Sequence, residues 1–209
     1  MKRQLLTLAI TLPTTVPAAT ALTIVTMAGR LGLSAVHLAG SGDQQTRARL
    51  AAAARPAQIL PALSAETPNV VRINDPTVVA QVRSQLEAEG LPGPLLVAIP
   101  ASIGRTMSEA SARADLDPRF ELGHPRDLGL FGTFEQAQGQ VLALARAGAD
   151  GLVLDLPLSR DVADVLAQVK ALVVGATPLL VDRPLQRAVA PPRTVFYGTP
   201  NSSNPPSPR

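Results

Sequence analysis

Short apolar runs alternate with amphipathic, well-capped segments along this chain, and that alternation predicts an α/β fold. The expected architecture is a parallel (β/α) barrel-like fold of the TIM-barrel type. Seven strand candidates start about every 25–35 residues, with helical patterns between most of them, the spacing of repeated βα units. Leu95-Leu96-Val97-Ala98-Ile99 is a continuous apolar run of the kind buried on both faces of a parallel sheet. A complete eight-unit barrel takes ~250 residues. With 209 residues the chain should build an incomplete one, of about six to seven units.

The elements follow in order. Leu6, Leu8, Ile10 and Leu12 alternate with Thr7, Ala9 and Thr11, a strand period. Lys2 and Arg3 before this run, and Ala18-Ala19-Thr20-Ala21 after it, also fit a signal peptide. The alternation and the stop at Pro13 favour a first strand. Pro17 opens a helix with Ile24, Met27, Ala28 and Leu31 on one face, and Gly32 caps it. Ala35–Ala39 reads as the second strand. Residues 44–66 are Ala-rich and helical in character, interrupted at Pro56 and Pro61.

Asn69–Asn74 is the next strand, and Asp75-Pro76 starts a helix with an N-cap and a proline at the first helical position. Val78, Val82 and Leu86 mark its buried side. Thr106-Met107-Ser108-Glu109 has capping-box spacing, and Thr133-Phe134-Glu135-Gln136 repeats it after the strand Leu128–Phe131. The second box opens a helix burying Phe134, Ala137, Val141 and Leu144, which stops at Gly148. Gly151–Leu154 is a strand, Val162, Val165, Leu166 and Val169 mark a helix, and Pro178–Val181 reads as a last strand. Thr194–Tyr197 reads as an extended piece, and Asn201–Arg209 has a disordered composition.

Charge divides the chain into a barrel-like domain, 1–182, and a basic, Pro/Ser-rich C-terminal tail, 183–209. Arg183, Arg187, Arg193 and Arg209 give the tail +4 with no acid, so the body carries −1 of the overall +3. Basicity confined to a tail does not point to nucleic acid as a partner. Aromatic residues are only 2 %, too few for a reader of stacked bases. The absence of Cys excludes disulfides, thiolate catalysis and Cys-ligated metal centres. No stretch reaches the ~20 apolar residues of a membrane span, so a cytoplasmic protein without membrane partners is expected. No metal-ligand spacing, phosphate-binding G-x-x-x-x-G-K-[ST], G-x-S-x-G or G-x-G-x-x-G is present.

Several pieces read together resemble the luciferase-like monooxygenases, a flavin- or deazaflavin-dependent barrel family. Ala28-Gly29-Arg30-Leu31-Gly32-Leu33-Ser34-Ala35-Val36-His37-Leu38-Ala39 resembles that family's first helix running into its second strand. Gly104-Arg105-Thr106-Met107-Ser108-Glu109-Ala110 resembles its G-R-T-x-x-E-A stretch. Gly132-Thr133-Phe134-Glu135-Gln136 with Ala147-Gly148-Ala149-Asp150-Gly151 resembles its G-T-P-E-Q … A-G-A-D-G pairing. The resemblance implies a shortened flavin-dependent oxidoreductase or monooxygenase. It also implies FMN or a deazaflavin as cofactor, a small-molecule substrate and a flavin reductase as partner. Two features depart from the pattern. The third and fourth βα units have no counterpart, and Gln58–Ser64 holds no glycine where the phosphate-cradling turn belongs.

Candidate residues fall at strand ends, where the active end of a barrel lies. His37 and Asp155 are the catalytic candidates: His37 as a proton shuttle or a packed, hydrogen-bonded histidine, Asp155 as an acid or a turn cap. Ser41, Asn74, Ser102 and Thr133 carry hydroxyls or an amide that suit a ribityl chain or phosphate, although capping alone explains Thr133. Arg72 and Arg105 are candidate forks for phosphate or plain surface residues. His124, in Gly123-His124-Pro125-Arg126, reads as a loop residue.

Two other readings stand beside the flavin one. The segment from Ala147 to Pro157 also resembles a strand end of phosphate-binding barrel lyases, such as the tryptophan synthase alpha type, with Asp155 as the acid–base candidate. Alternatively, the chain is a non-catalytic barrel subunit that covers its open sheet edge on another chain, so a homo-oligomer or a partner is expected.

Overall fold

The computed structural model describes residues 7–13, 15–39, 43–61, 63, 69–91, 93–157 and 162–176. The expected strand at Pro178–Val181, the extended piece at Thr194–Tyr197, Ser41 and the whole 183–209 tail lie outside the described residues.

Seven strands and seven α-helices are formed by these residues, alternating except at β3–β4 and at α4–α5, and every strand pair is parallel. β1 (Thr7–Pro13), α1 (Ala18–Arg30) and β2 (Ala35–Ala39) form the first unit. α2 (Gln44–Ala54) stops where Pro56 disfavours helix at Arg55. The chain then enters β3 (Gln58–Pro61), so the expected helix over 44–66 is half helix and half strand. Of the strand expected at Asn69–Asn74, only Val70–Val71 pairs, as β4. The Asp75 carboxylate accepts from the Thr77 N–H to start α3 (Pro76–Ala88).

β5 (Leu96–Gly104) leads to α4 (Met107–Asp115), a 3-10 turn at Pro118–Phe120, and the short α5 (Pro125–Leu128). β6 (Leu130–Thr133), α6 (Phe134–Ala147), β7 (Gly151–Asp155) and α7 (Val162–Ala176) complete the described chain. The Thr133 capping box is complete, whereas at Thr106 the glutamate meets the N–H of the residue before the N-cap. Thr106 Oγ1 accepts from the Glu109 N–H, while Glu109 reaches back to the Arg105 N–H. Thr133 and Gln136 exchange bonds in both directions.

The strand order is β3-β2-β1-β7-β5-β4, with β6 pairing off this path onto β5. Among the described residues β3 and β4 do not pair, so the barrel is not closed. In a sequentially wound barrel β6 would separate β5 from β7. Here residues 96–100 of β5 pair β7 directly, and only 101–104 pair β6. The change of partner falls at Pro100, which has no N–H to give to a ladder. Gly129 permits the crossing: a Cβ there would lie 1.8 Å from the Pro100 carbonyl oxygen. Asn74 ties the end of β4 to the start of β6, its main-chain N–H donating to Leu128 O and its Nδ2 to Gly129 O.

The period-2 alternation gives the sheet two different faces. Leu8, Ile10, Val36, Leu38, Val97, Ile99, Leu152 and Leu154 pack outward against the helices in the main core. Each such side chain contributes about 1.5–3 kcal/mol on burial. Ala9, Ala35 and Val153 point the other way and form a separate small cluster with Leu60, Leu63, Leu96 and Ala98. At the strands' N-terminal end, Asp150 pairs with Arg83 and accepts from the Leu95 N–H at 2.9 Å, while Arg83 also donates to Gly148 O.

Helices α1 and α2 meet backbone to backbone at Gly29, where an added Cβ would stand 2.1 Å from Ala54 O and 2.7 Å from Arg55 O. Glycine inside an exposed helix normally makes alanine the better residue by about 1 kcal/mol. Here the contact should reverse the sign. Gly29→Ala is expected to destabilise by about 1–3 kcal/mol, lowering the thermal midpoint by ~2–4 °C per kcal/mol. A raised midpoint would refute the close approach.

Candidate functional site at the strand C-terminal mouth

Register, not sequence proximity, assembles this site. Thr11 on β1 pairs with His37 on β2 and with Asp155 on β7, and Asp155 pairs with Pro100 on β5. One layer below, the same pairings align Ala35, Ala9, Val153 and Ala98. The inner face therefore has a floor of small apolar side chains and, above it, a row carrying an imidazole, a hydroxyl and a carboxylate.

A cavity of about 380 Å³ opens over this row. Thr11, Ala98, Pro100, Val153 and Asp155 contribute to its floor and walls, and Arg72, Arg119, Phe120 and Gly123 to its rim. Arg72 reaches it from beyond β4, with Nη2 donating to Leu63 O at 3.2 Å. Arg119 comes from the 3-10 turn, which Asp117 caps by accepting from the Arg119 N–H.

The Arg119 guanidinium organises the mouth. Its Nε and Nη2 donate to the two oxygens of Asp117 at 2.9 and 2.6 Å. Nη2 also donates to Leu156 O at 2.7 Å, and Nη1 donates to Asp155 Oδ1 at 2.6 Å. Burial works against the charge of Arg119, but hydrogen bonds and charge from Asp117 and Asp155 outweigh it and hold its pKa above the ordinary range. Burial pushes the Asp155 carboxyl up. The Arg119 pair offsets part of that, and the nearby Asp117 charge adds to it, so the group stays above the usual aspartate range.

The structure distributes the sequence candidates unevenly. Asp155 lines the cavity; His37 does not. His37 is 5 % exposed, and its Nδ1 lies 2.7 Å from Pro61 O. A carbonyl only accepts, so Nδ1 carries the proton, and the bond braces β3 against β2. Asn74 spends its amide on Gly129 O, as described above. The Ser102 hydroxyl, fully buried, donates to Ala110 O at 2.7 Å, and Thr133 is engaged in its capping box. The Arg105 N–H is held by Glu109. His124 caps α5, its Nδ1 accepting from the Arg126 N–H, and its Nε2 lies 3.2 Å from Asp115. Among the described residues no cluster of His, Asp and Glu could hold a metal ion, and no helix is long and apolar enough to cross a membrane.

Arg119 and Thr11 were not read as site residues from the sequence. Asp117-Pro118 repeats the Asp75-Pro76 device and signals a short turn after α4. Nothing local says that this turn lies over β7.

No family model matches the chain, and no curated protein matches it. Among solved structures it is similar to a truncated 3-deoxy-D-arabino-heptulosonate 7-phosphate synthase from Thermotoga maritima. That match has a TM-score of 0.39 and 12 % identity, covering 83 % of this chain and 86 % of the other. It is also similar to (S)-3-O-geranylgeranylglyceryl phosphate synthase from Thermoplasma acidophilum, solved with sn-glycerol-1-phosphate. There the TM-score is 0.38 and the identity 14 %, covering 82 % of this chain and 94 % of the other.

Neither is a luciferase-like monooxygenase, and the resemblance to that family is corrected, together with the flavin-dependent oxidoreductase or monooxygenase activity it implied. The physical reason lies in the motifs. Two of the stretches that carried the resemblance serve as helix caps and as the Asp150–Arg83 brace, and the third is the end of α1 running into β2 with its Gly29 contact, devices any βα fold can use. Asn74 Nδ2, the Ser102 hydroxyl and Thr133 Oγ1 are each engaged by the fold itself.

The raised Asp155 pKa has a stability consequence. Between the unfolded and the higher folded value, the native state holds more protons than the unfolded state. Stability must therefore fall as pH rises through that window. Asp155→Asn removes this titration. The midpoint of the variant relative to wild type should climb as pH rises from the ordinary aspartate range upward. A relative midpoint that falls over the same range would mean that Arg119 outweighs burial.

Proposed function

We propose that this chain is a barrel-type enzyme that performs general acid–base chemistry on a small phosphorylated substrate, as in the lyase reading of its sequence. The observation that supports this best is one shared cavity wall. Asp155, pushed toward neutral pH by burial, stands there beside the arginines Arg72 and Arg119 over an apolar floor. A carboxyl tuned upward suits proton transfer, and guanidinium forks suit the oxygens of phosphate. The cavity's size suits a substrate of a few carbons. A cytoplasmic location, where small phosphorylated compounds are plentiful, belongs to the same proposal.

In this reading Asp155 moves a proton at a substrate carbon or oxygen. Thr11, its neighbour in the row, offers a hydroxyl to a substrate oxygen, and the arginines hold the phosphate. His37 supports the wall from one strand away.

The first test is ligand binding. Glycerol phosphate at about a hundred times its dissociation constant should stabilise the protein by ~2.7 kcal/mol, a midpoint rise of several degrees. Glycerol should give none. The second is chemistry. Incubated in deuterium oxide, the protein should exchange a carbon-bound proton of dihydroxyacetone phosphate, followed by proton NMR, and Asp155→Asn should slow that exchange ~10²–10⁴-fold. A folded protein that distinguishes neither ligand would overturn the proposal.

A further inference from the structure

We infer that Arg119 is the anion-binding residue of this mouth, and that Asp155 occupies its cavity-facing edge as an internal stand-in which the ligand's phosphate displaces. This rests on the phosphate reading above and adds a mechanism to it.

The geometry separates two grips on one guanidinium. Asp117 holds the Nε/Nη2 edge side-on with two bonds, and Leu156 O takes another hydrogen of Nη2. Asp155 holds Nη1 with a single oxygen. The two acids also stand on different sides. Asp155 and Arg119 share the 380 Å³ cavity over the polar row, whereas Asp117 and Arg119 share a second cavity of about 440 Å³, walled by Pro13, Pro17 and Pro157.

Three of the four side-chain bonds therefore survive if Asp155 lets go. The arginine stays where it is, presenting Nη1 to whatever fills the cavity. A carboxylate and a phosphate oxygen have the same acceptor chemistry for that edge, so the two compete.

Displacement changes Asp155. Its one ion-pair partner among the described residues is then shared with the ligand, while burial and the Asp117 charge remain. The other described charged or titratable groups near it are the Arg72 guanidinium across the cavity and the His37 imidazole beyond Thr11 in the same row. Arg72 then faces the ligand's own negative charge. Losing the Arg119 bond favours the protonated acid, so ligand entry should draw a proton onto Asp155 from solvent. Binding thereby arms the acid only when a phosphate is present. Asp117 is a positioning residue: it fixes the arginine while the cavity-side partner is exchanged.

The test is calorimetric titration of inorganic phosphate into the full chain, run in two buffers of different ionisation enthalpy so that protons taken up are counted. Wild type is compared with Asp155→Asn and Asp155→Ser, two variants so that one failing to fold leaves the other. Removing the competitor should tighten phosphate binding about tenfold. Wild type should take up more protons per phosphate than either variant, the phosphate's own proton being common to all three. Equal or weaker binding in the folded variants, or equal proton counts, would overturn the stand-in while leaving phosphate recognition in place. Failure of wild type and both variants to bind phosphate at all would overturn the recognition itself, and this inference with it. Wild type failing to bind where the variants bind would show Asp155 blocking the arginine without being displaced, and would overturn the exchange.

Discussion

The parallel, in-register pairing of β1 with β2 on one side and β7 on the other is the constraint from which the site follows. Parallel strands keep their alternation in phase across neighbours, so one choice of register decides which residues share a layer. Sliding β7 by a single residue would turn Asp155 toward the helices and Leu154 into the mouth. The outward Leu and Ile side chains make that slip costly. They are therefore what holds the carboxylate in place, although none of them comes near it.

On that scaffold the mouth is an electrostatic balance around one guanidinium. Arg119 comes from a turn outside the sheet and is claimed from two sides, by an acid of its own turn and by the acid at the end of β7. A buried charge with too few partners would be expensive. One with exchangeable partners is stable in more than one state. The fold keeps Arg119 paired with acceptors on both sides, Asp117 and Leu156 O on one edge and Asp155 on the other.

The sequence made the sheet legible and the site only half so. Strand β2 stands at its expected bounds, and the helices opened by Asp75, Thr106 and Thr133 begin at those caps, because capping is a local exchange of hydrogen bonds that a four-residue window contains. β3 was hidden. Gln58–Pro61 is short, only partly buried, and follows an alanine run with helical composition, so nothing in its own side chains marks it as a strand. Asp155 was legible because a carboxylate ending an apolar strand is conspicuous. Arg119 was not, because its significance depends on where a turn after α4 falls relative to β7, a contact across 36 residues. The same logic explains the misplaced family resemblance: its shared motifs were caps, a brace and one helix-to-strand junction, which report how a βα unit is built and say nothing about what it binds.

The most direct measurement is a series of amide proton–nitrogen spectra recorded as glycerol phosphate is added. If the mouth is the ligand site, the signals that move first and furthest belong to Thr11, Arg72, Arg119, Gly123 and Asp155, which come from separate parts of the chain and meet only there. Movement confined to the basic tail around Arg187, Arg193 and Arg209, with those five signals still, would show phosphate following bulk positive charge and would contradict the site.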